Sequence, residues 1–319
     1  MLKDILKITF EITNRCSLRC RICHIWKERP TRDLALEDIH RVLDLCPSVR
    51  AISLTGGEPL LHPGIHKIYR GLFKLYIKRK IHAIDIATNA YDPRTLLFFI
   101  RQKKFLKPLS LAVSIDGTPQ NHDAQRGIPG AFAQTLRHVR ALRKYHIPVT
   151  IKFTVSRLNY TDLFFVENLA RTLGCDFHFK TAEELSSYYH RQKTGRPPLL
   201  TPRSRQEFRR MLDKLSIPRD RRYDIHRLAL RHHKQFLDKG DLSSICSCLT
   251  PKKSLFVTSA GIIYNCLYQK PIGTIDALLR ISETQAQKNI SMGKKGQCPR
   301  CLAYHGFLRD FNLKIRNAD

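Results

Sequence analysis

The sequence predicts an α/β protein built on a parallel sheet, open or curled toward a barrel, with ligand sites at the carboxyl ends of its strands. Two observations predict this. Strand-length apolar segments alternate with segments of helical periodicity from Ile5 to Ala182. The unusual polar motifs of that region then fall, one after another, where a strand ends.

The elements follow in order. "ILKITFEIT" reads as the first strand, rich in β-branched and aromatic residues up to the polar "TNR". "LALEDIHRVLDLC" places apolar residues at helical spacing with acids in its first turns. "VRAISLT" is the second strand, ended by Gly56-Gly57, and "GIHKIYRGLFKLYIKRK" the second helix. "IHAIDIAT" is a strand ended by Asn89, "PRTLLFFIRQKKFL" a helix, and "LSLAVSI" a strand ended by Asp116-Gly117. "AFAQTLRHVRALRKYH", "PVTIKFTV", "YTDLFFVENLARTLG" and "DFHFKTA" complete a pattern of six strands and five helices.

Composition bounds the setting. The 319 residues are 42% hydrophobic and 26% charged, the balance of a globular protein with a core. "MLKDILKITFEITN" lacks the pattern of a cleavable leader, and no apolar run is long enough to cross a bilayer. A cytoplasmic location is therefore expected. In that reducing compartment ten cysteines are metal ligands, catalysts or core residues rather than disulfides. Cys46 and Cys175 stand alone among apolar residues and read as small buried hydrophobes.

The other cysteines are grouped. Cys16, Cys20 and Cys23, spaced C-x3-C-x2-C, follow the first strand. Three thiolates at this spacing can each bind one iron of a four-iron cluster, leaving the fourth iron open for chemistry. A zinc ion completed by His24 is the alternative, although adjacent residues seldom turn toward one metal. "GGEP", Gly56 to Pro59, follows the second strand, and "TNA" the third. "SIDG", with Ser114 and Asp116, ends the fourth strand, and "TVSRLN", with Thr154 and Asn159, ends the fifth.

The cysteine spacing after strand one, together with GGEP after strand two, resembles the radical S-adenosylmethionine (radical SAM) superfamily over roughly residues 5 to 185. The resemblance implies a partial (β/α)6 barrel of the TIM-like kind. It implies a [4Fe–4S] cluster on Cys16, Cys20 and Cys23 whose open iron chelates SAM. Reductive cleavage would yield methionine and a 5′-deoxyadenosyl radical that abstracts hydrogen from substrate. A reductant such as flavodoxin or ferredoxin is implied with it. Residue by residue, Gly56, Gly57, Glu58 and Pro59 match the family's turn against the SAM amino group. Ser114 and Asp116 match positions that meet ribose hydroxyls, and Arg126 an arginine near the SAM carboxylate. Asn89 matches the family's TNG motif, with Ala90 in place of glycine, and Ile22 stands where an aromatic often packs near adenine. No residue beyond the cluster ligands is nominated as catalytic.

Near the C-terminus, Cys248, Gly261 and Cys266 are spaced C-x12-G-x4-C, and "CPRC" supplies Cys298 and Cys301. "LFVTSAGIIYNC" reads as a β-hairpin turning at Gly261. By spacing alone this is an iron–sulfur site or a zinc ribbon. It resembles the Twitch form of the SPASM extension, which implies an auxiliary [4Fe–4S] cluster on Cys248, Cys266, Cys298 and Cys301, with Cys246 able to substitute for Cys248. The expected domains are a barrel over 1–188, a basic helical connecting segment over 189–243 and a small Twitch-like domain over 244–319.

From His190 to Gly240 there are 15 Lys and Arg against 5 Asp and Glu, and the chain carries a formal net charge of +29. Such charge favours anionic partners. Two classes of function follow: a radical SAM enzyme, or a non-catalytic, zinc-stapled nucleic-acid-binding protein in which GGEP and the strand-end motifs have no role. The first is expected, with a peptide or protein as substrate and RNA, a phosphorylated or nucleotide metabolite, or a lipid as the runner-up.

Overall fold

The computed structural model describes residues 2–28, 32–102, 107–182, 199–215, 224–239, 250–267 and 270–280. Six strands, β1 (Lys7–Thr13), β2 (Ala51–Gly56), β3 (Ala83–Thr88), β4 (Leu109–Ser114), β5 (Val149–Val155) and β6 (Asp176–Thr181), stand side by side in sequence order. All five pairings among them are parallel. With no reversal in strand order, right-handed crossovers put every connecting helix on one face, and the sheet curls toward a barrel. The barrel stays open, because β6 and β1 are not neighbours.

The expected helices form as α1 (Leu36–Leu45), α2 (Ile65–Ile77), α3 (Arg94–Arg101), α5 (Ala131–Lys144) and α6 (Leu163–Thr172). A further helix, α4 (Pro119–Arg126), lies between β4 and α5. Its sequence, PQNHDAQR, has no apolar stripe and escapes a periodicity reading. Its ends carry the signal instead: Pro119 in the first turn and Gly127 at the left-handed C-terminal position, φ 74°. Beyond β6, α7 (Pro202–Lys214) and α8 (Asp224–Lys239) occupy the basic segment. Phe208 of α7 is fully buried and meets Phe179 of β6 edge-on, ring centroids 5.8 Å apart, which ties this segment to the barrel.

The expected hairpin also forms, as β7 (Ser254–Val257) and β8 (Ile262–Tyr264). It does not stand apart from the barrel. After a short turn, α9 (Thr250–Lys253), β7 pairs in parallel with the open edge of β1, Lys7 opposite Ser254 and Phe10 opposite Val257. A two-residue strand, β9 (Gly273–Thr274), follows on β8 and leads into α10 (Ile275–Arg280), so one nine-stranded sheet runs from β6 to β9. Buried Glu11 fastens the hairpin, accepting from Ser259 N and Ser259 Oγ at 3.3 and 3.1 Å.

The core is built from strand residues such as Phe10, Leu54, Ile86, Val113 and Phe153, all essentially inaccessible to solvent. Cys46 is buried and Cys175 half-buried, both against this core. Among the described residues no helix is long and apolar enough to cross a membrane.

Candidate functional site

The site is assembled at the carboxyl ends of the strands. Where β1 ends, Thr13 O accepts from Gly57 N at 2.9 Å and Arg15 O accepts from Glu58 N at 2.7 Å. The start of the cysteine loop thus lies along the GGEP turn. The approach is so close that a Cβ on Gly57 would sit 2.3 Å from Arg15 O, which only glycine avoids.

The far side of the loop is held by the C-terminal end of α4. Arg19 N donates to Arg126 O at 3.0 Å and Arg21 N to Gln125 O at 2.8 Å, so the residues either side of Cys20 are fixed to one helix end. Cys20 is buried and packs with Leu18 and Ala131, while Cys16, Ile22, Cys23, Tyr91 and Ile128 close around them. The single tryptophan, Trp26, donates its indole N–H to Cys20 O at 3.3 Å. All three thiols lie in one loop, Cys20 buried and Cys16 and Cys23 half-buried. Burial pushes the Cys16 thiol up to about 11, the Cys23 thiol up to about 12, and the Cys20 thiol upward as well. A metal entering the loop must therefore displace protons.

Two polar side chains face the sulfurs. Asn89 Nδ2 is 3.9 Å from Cys16 Sγ, and Arg126 Nη1 is 3.8 Å from Cys20 Sγ. These donors suit thiolates ligating an anionic iron–sulfur cluster. Among the described residues no three His, Cys, Asp or Glu side chains converge on a single metal ion. A four-iron cube takes one iron per thiolate and requires no such convergence.

Glu58 is fully buried and turns toward β3, not outward. Its carboxylate accepts from Thr88 Oγ1 at 2.9 and 3.0 Å, from Asn89 N at 2.8 Å and from Leu60 N at 3.2 Å. Burial outweighs these donors and pushes its pKa up to about 7. Pro59, also buried, opens the short 3₁₀ turn Pro59–Leu61 that Glu58 caps. Ala90 takes a left-handed φ of 50°, the conformation a glycine adopts freely, and its carbonyl accepts from His138 Nδ1 at 2.7 Å.

At the end of β4, Asp116 is fully buried. Its Oδ1 accepts from Thr154 N at 2.9 Å, its carbonyl accepts from Asn159 Nδ2 at 2.9 Å, and its Oδ2 forms an ion pair with Arg126 Nη2 at 2.6 Å. Of the two residues expected at ribose hydroxyls, Asp116 is thus committed to the protein, whereas Ser114 stays half-buried at the strand end. Arg126 has its two terminal nitrogens directed at Asp116 and Cys20, and its Nε is buried with no partner among the described residues.

Residues that sequence reasoning missed lie mostly on α4. His122 Nδ1 accepts from Asp116 N at 3.0 Å, and burial, reinforced by the Arg126 charge, lowers its pKa to about 4, so it is neutral. Gln125 Nε2 donates to Thr154 O at 3.0 Å. An open cleft of about 370 Å³ reaches Cys16, lined by Asn14, Arg15, Trp26, Glu28, Leu61 and Arg94. In the C-terminal set, Cys266 is half-buried just beyond β8. Cys246, Cys248, Cys298 and Cys301 lie outside the described residues.

Residues 10–163 match the family model of the Radical SAM superfamily. The AdoMet-dependent heme synthase of Methanosarcina barkeri is 32% identical over 174 residues, 52% of this chain and 47% of that protein. The antilisterial bacteriocin subtilosin biosynthesis protein AlbA of Bacillus subtilis is 26% identical over 173 residues, 53% of this chain and 37% of that protein. The chain thus spans about half the length, or less, of these curated relatives. Streptococcus suis SuiB bound to S-adenosylmethionine superposes with a TM-score of 0.63 at 14% identity, covering 96% of this chain and 68% of SuiB. SuiB bound to precursor peptide SuiA gives 0.59 at 15%, with coverages of 96% and 67%. At these identities the likeness to SuiB is one of fold.

Proposed function

The chain carries a radical SAM superfamily domain, and from that premise we propose that it is an enzyme that modifies a peptide or protein by hydrogen abstraction. Cys16, Cys20 and Cys23 would hold a [4Fe–4S] cluster. Bound there with SAM, the cluster supplies reductive cleavage to a 5′-deoxyadenosyl radical, fed by an external reductant of the flavodoxin or ferredoxin kind. The observation that carries the reading is the packing of three thiols, Cys20 buried and Cys16 and Cys23 half-buried, into one loop with the donors of Arg126 and Asn89 turned toward two of them.

The chain's own residues have separate tasks. Gly56, Gly57 and Pro59 shape the wall of the cofactor site, and Glu58 braces it from behind through Thr88 and Asn89. Ser114 offers a hydroxyl at the end of β4, and Arg126 Nε an unspent donor. Peptide modification is supported by the fold shared with SuiB, a protein seen with its precursor peptide. We also propose the division into barrel, connecting segment and Twitch-like domain, with an auxiliary cluster on Cys248 (or Cys246), Cys266, Cys298 and Cys301.

A second reading, an anionic small-molecule substrate, is favoured by the M. barkeri heme synthase relative and by the net charge of +29. One experiment separates the two. Protein reconstituted anaerobically with iron and sulfide is given SAM and dithionite, beside host fractions of peptides and proteins, RNA, lipids and small metabolites. 5′-Deoxyadenosine rising above background in the peptide fraction supports the proposal, and a rise confined to the metabolites replaces it with the second reading. No 5′-deoxyadenosine from protein that holds its iron would sink the radical SAM chemistry itself.

A further inference from the structure

The three thiols are not equivalent in their surroundings. Cys16 has the neutral amide of Asn89 beside it, whereas Cys20 has the guanidinium of Arg126. That charge is fixed in place several times over. Arg126 O binds Arg19 N and Gln125 O binds Arg21 N, so the helix end and Cys20 share one register. A Cβ on Gly127 would lie 2.2 Å from Arg19 O, which shows how closely the helix end and the loop approach. On the far side of the guanidinium, Asp116 accepts from Thr154 N, and its backbone N–H is tied to His122 Nδ1. Arg126 has a side-chain exposure of 10% and Asp116 of 0%, so water screens neither charge well.

We infer that Arg126 is a positioning residue that sets the electron affinity of the cluster through Cys20, with Asp116 as a graded counter-charge. This rests on the reading that Cys16, Cys20 and Cys23 hold an iron–sulfur cluster. A buried cation next to a ligating thiolate stabilises the reduced, more negative cluster over the oxidised one. Hydrogen bonds to sulfur and local charge are general determinants of such potentials. The anion behind Arg126 opposes that effect from farther away, so the two residues act with opposite sign.

The sign difference is what the test reads. In a Cys298→Ala/Cys301→Ala parent, so that only the cluster on Cys16, Cys20 and Cys23 is read, the reconstituted parent and its Arg126→Gln, Arg126→Lys and Asp116→Asn variants are each assayed for iron and sulfide, then titrated with dithionite under electron paramagnetic resonance to obtain the midpoint potential. Arg126→Gln is expected to shift the potential downward by about 59 mV or more, a tenfold change in the one-electron ratio at fixed potential. Asp116→Asn is expected to shift it upward, and Arg126→Lys to fall between the parent and Arg126→Gln. Loss of structural order alone would not move the two uncharged variants in opposite directions. Should Arg126→Gln fail to take up iron, Asp116→Asn and Arg126→Lys still decide the matter. Unshifted potentials, or shifts of the same sign, overturn the inference. Parent protein that takes up no cluster would overturn the underlying reading instead, and the iron assay reveals that before any potential is measured.

Discussion

Arg126 Nη2 lies 2.6 Å from Asp116 Oδ2, an ion pair closed off from solvent at the junction of β4, β5 and α4. Such a pair adds little stability of its own, yet breaking it leaves a bare buried charge. Arg126→Gln, which leaves Asp116 as an unpaired buried charge, is expected to destabilise the fold by about 3–5 kcal/mol. The double variant Asp116→Asn/Arg126→Gln, which leaves no unpaired charge, should cost clearly less. Urea unfolding of the four corners of this cycle measures the difference, and equal losses in the single and double variants would refute it.

Cys20→Ala should abolish SAM cleavage and the iron bound at the first loop. A Cys298→Ala/Cys301→Ala variant should lose about half of the iron, one of two four-iron clusters, and keep some cleavage. Iron analysis alongside 5′-deoxyadenosine yield checks both. Full iron retention in the double variant would end the auxiliary-cluster proposal.

Glu58 supplies a pH dependence. Its folded pKa is raised from 4.5 to about 7, so the folded state holds this proton more tightly than the unfolded chain. The stability it contributes is full below about 4.5 and is lost as pH rises through about 7. Relative to wild type, Glu58→Gln should therefore gain on going from acid to mildly alkaline conditions, by up to about 3 kcal/mol. Thermal melts of the two proteins across that range test it, and a difference independent of pH would show that folding leaves the Glu58 pKa unshifted.

Gly127 ends α4 at φ 74°, with Arg19 O where a Cβ would go. Gly127→Ala should lower stability by about 1–3 kcal/mol and loosen the cysteine loop, since the helix end can no longer approach it. Trp26, bonded to Cys20 O, reports the loosening as a change in intrinsic fluorescence. Unchanged melting and unchanged emission would count against the close contact.

The barrel strands and five of the helices were legible because period-2 and period-3.6 patterns survive in buried elements. The strand-end motifs were legible because a parallel sheet gathers them at one edge. Helix α4 was not, since PQNHDAQR buries His122, Gln125 and Arg126 and presents no apolar stripe. Its capping residues, Pro119 and Gly127, were the available sign. The inward turn of Glu58 and Asp116 was equally hidden. A carboxylate in a motif gives no sign of whether it faces a ligand or its own backbone. That depends on where the neighbouring strand ends place Thr88, Asn89 and Thr154. The hairpin at Gly261 was legible as local structure, while its attachment to β1 is a tertiary pairing that no local pattern encodes.

That attachment bears on how the protein is made. Lys7 of β1 is opposite Ser254, so β1 has as its outer neighbour a strand synthesised long after it. During translation the nascent β1 can pair with β2 on one side but presents a bare row of backbone donors and acceptors on the other. Such an edge is a template for pairing with other chains. Covering of the β1 edge therefore waits until residues 254–257 have left the ribosome, and the interval before then is when the growing polypeptide most needs shielding.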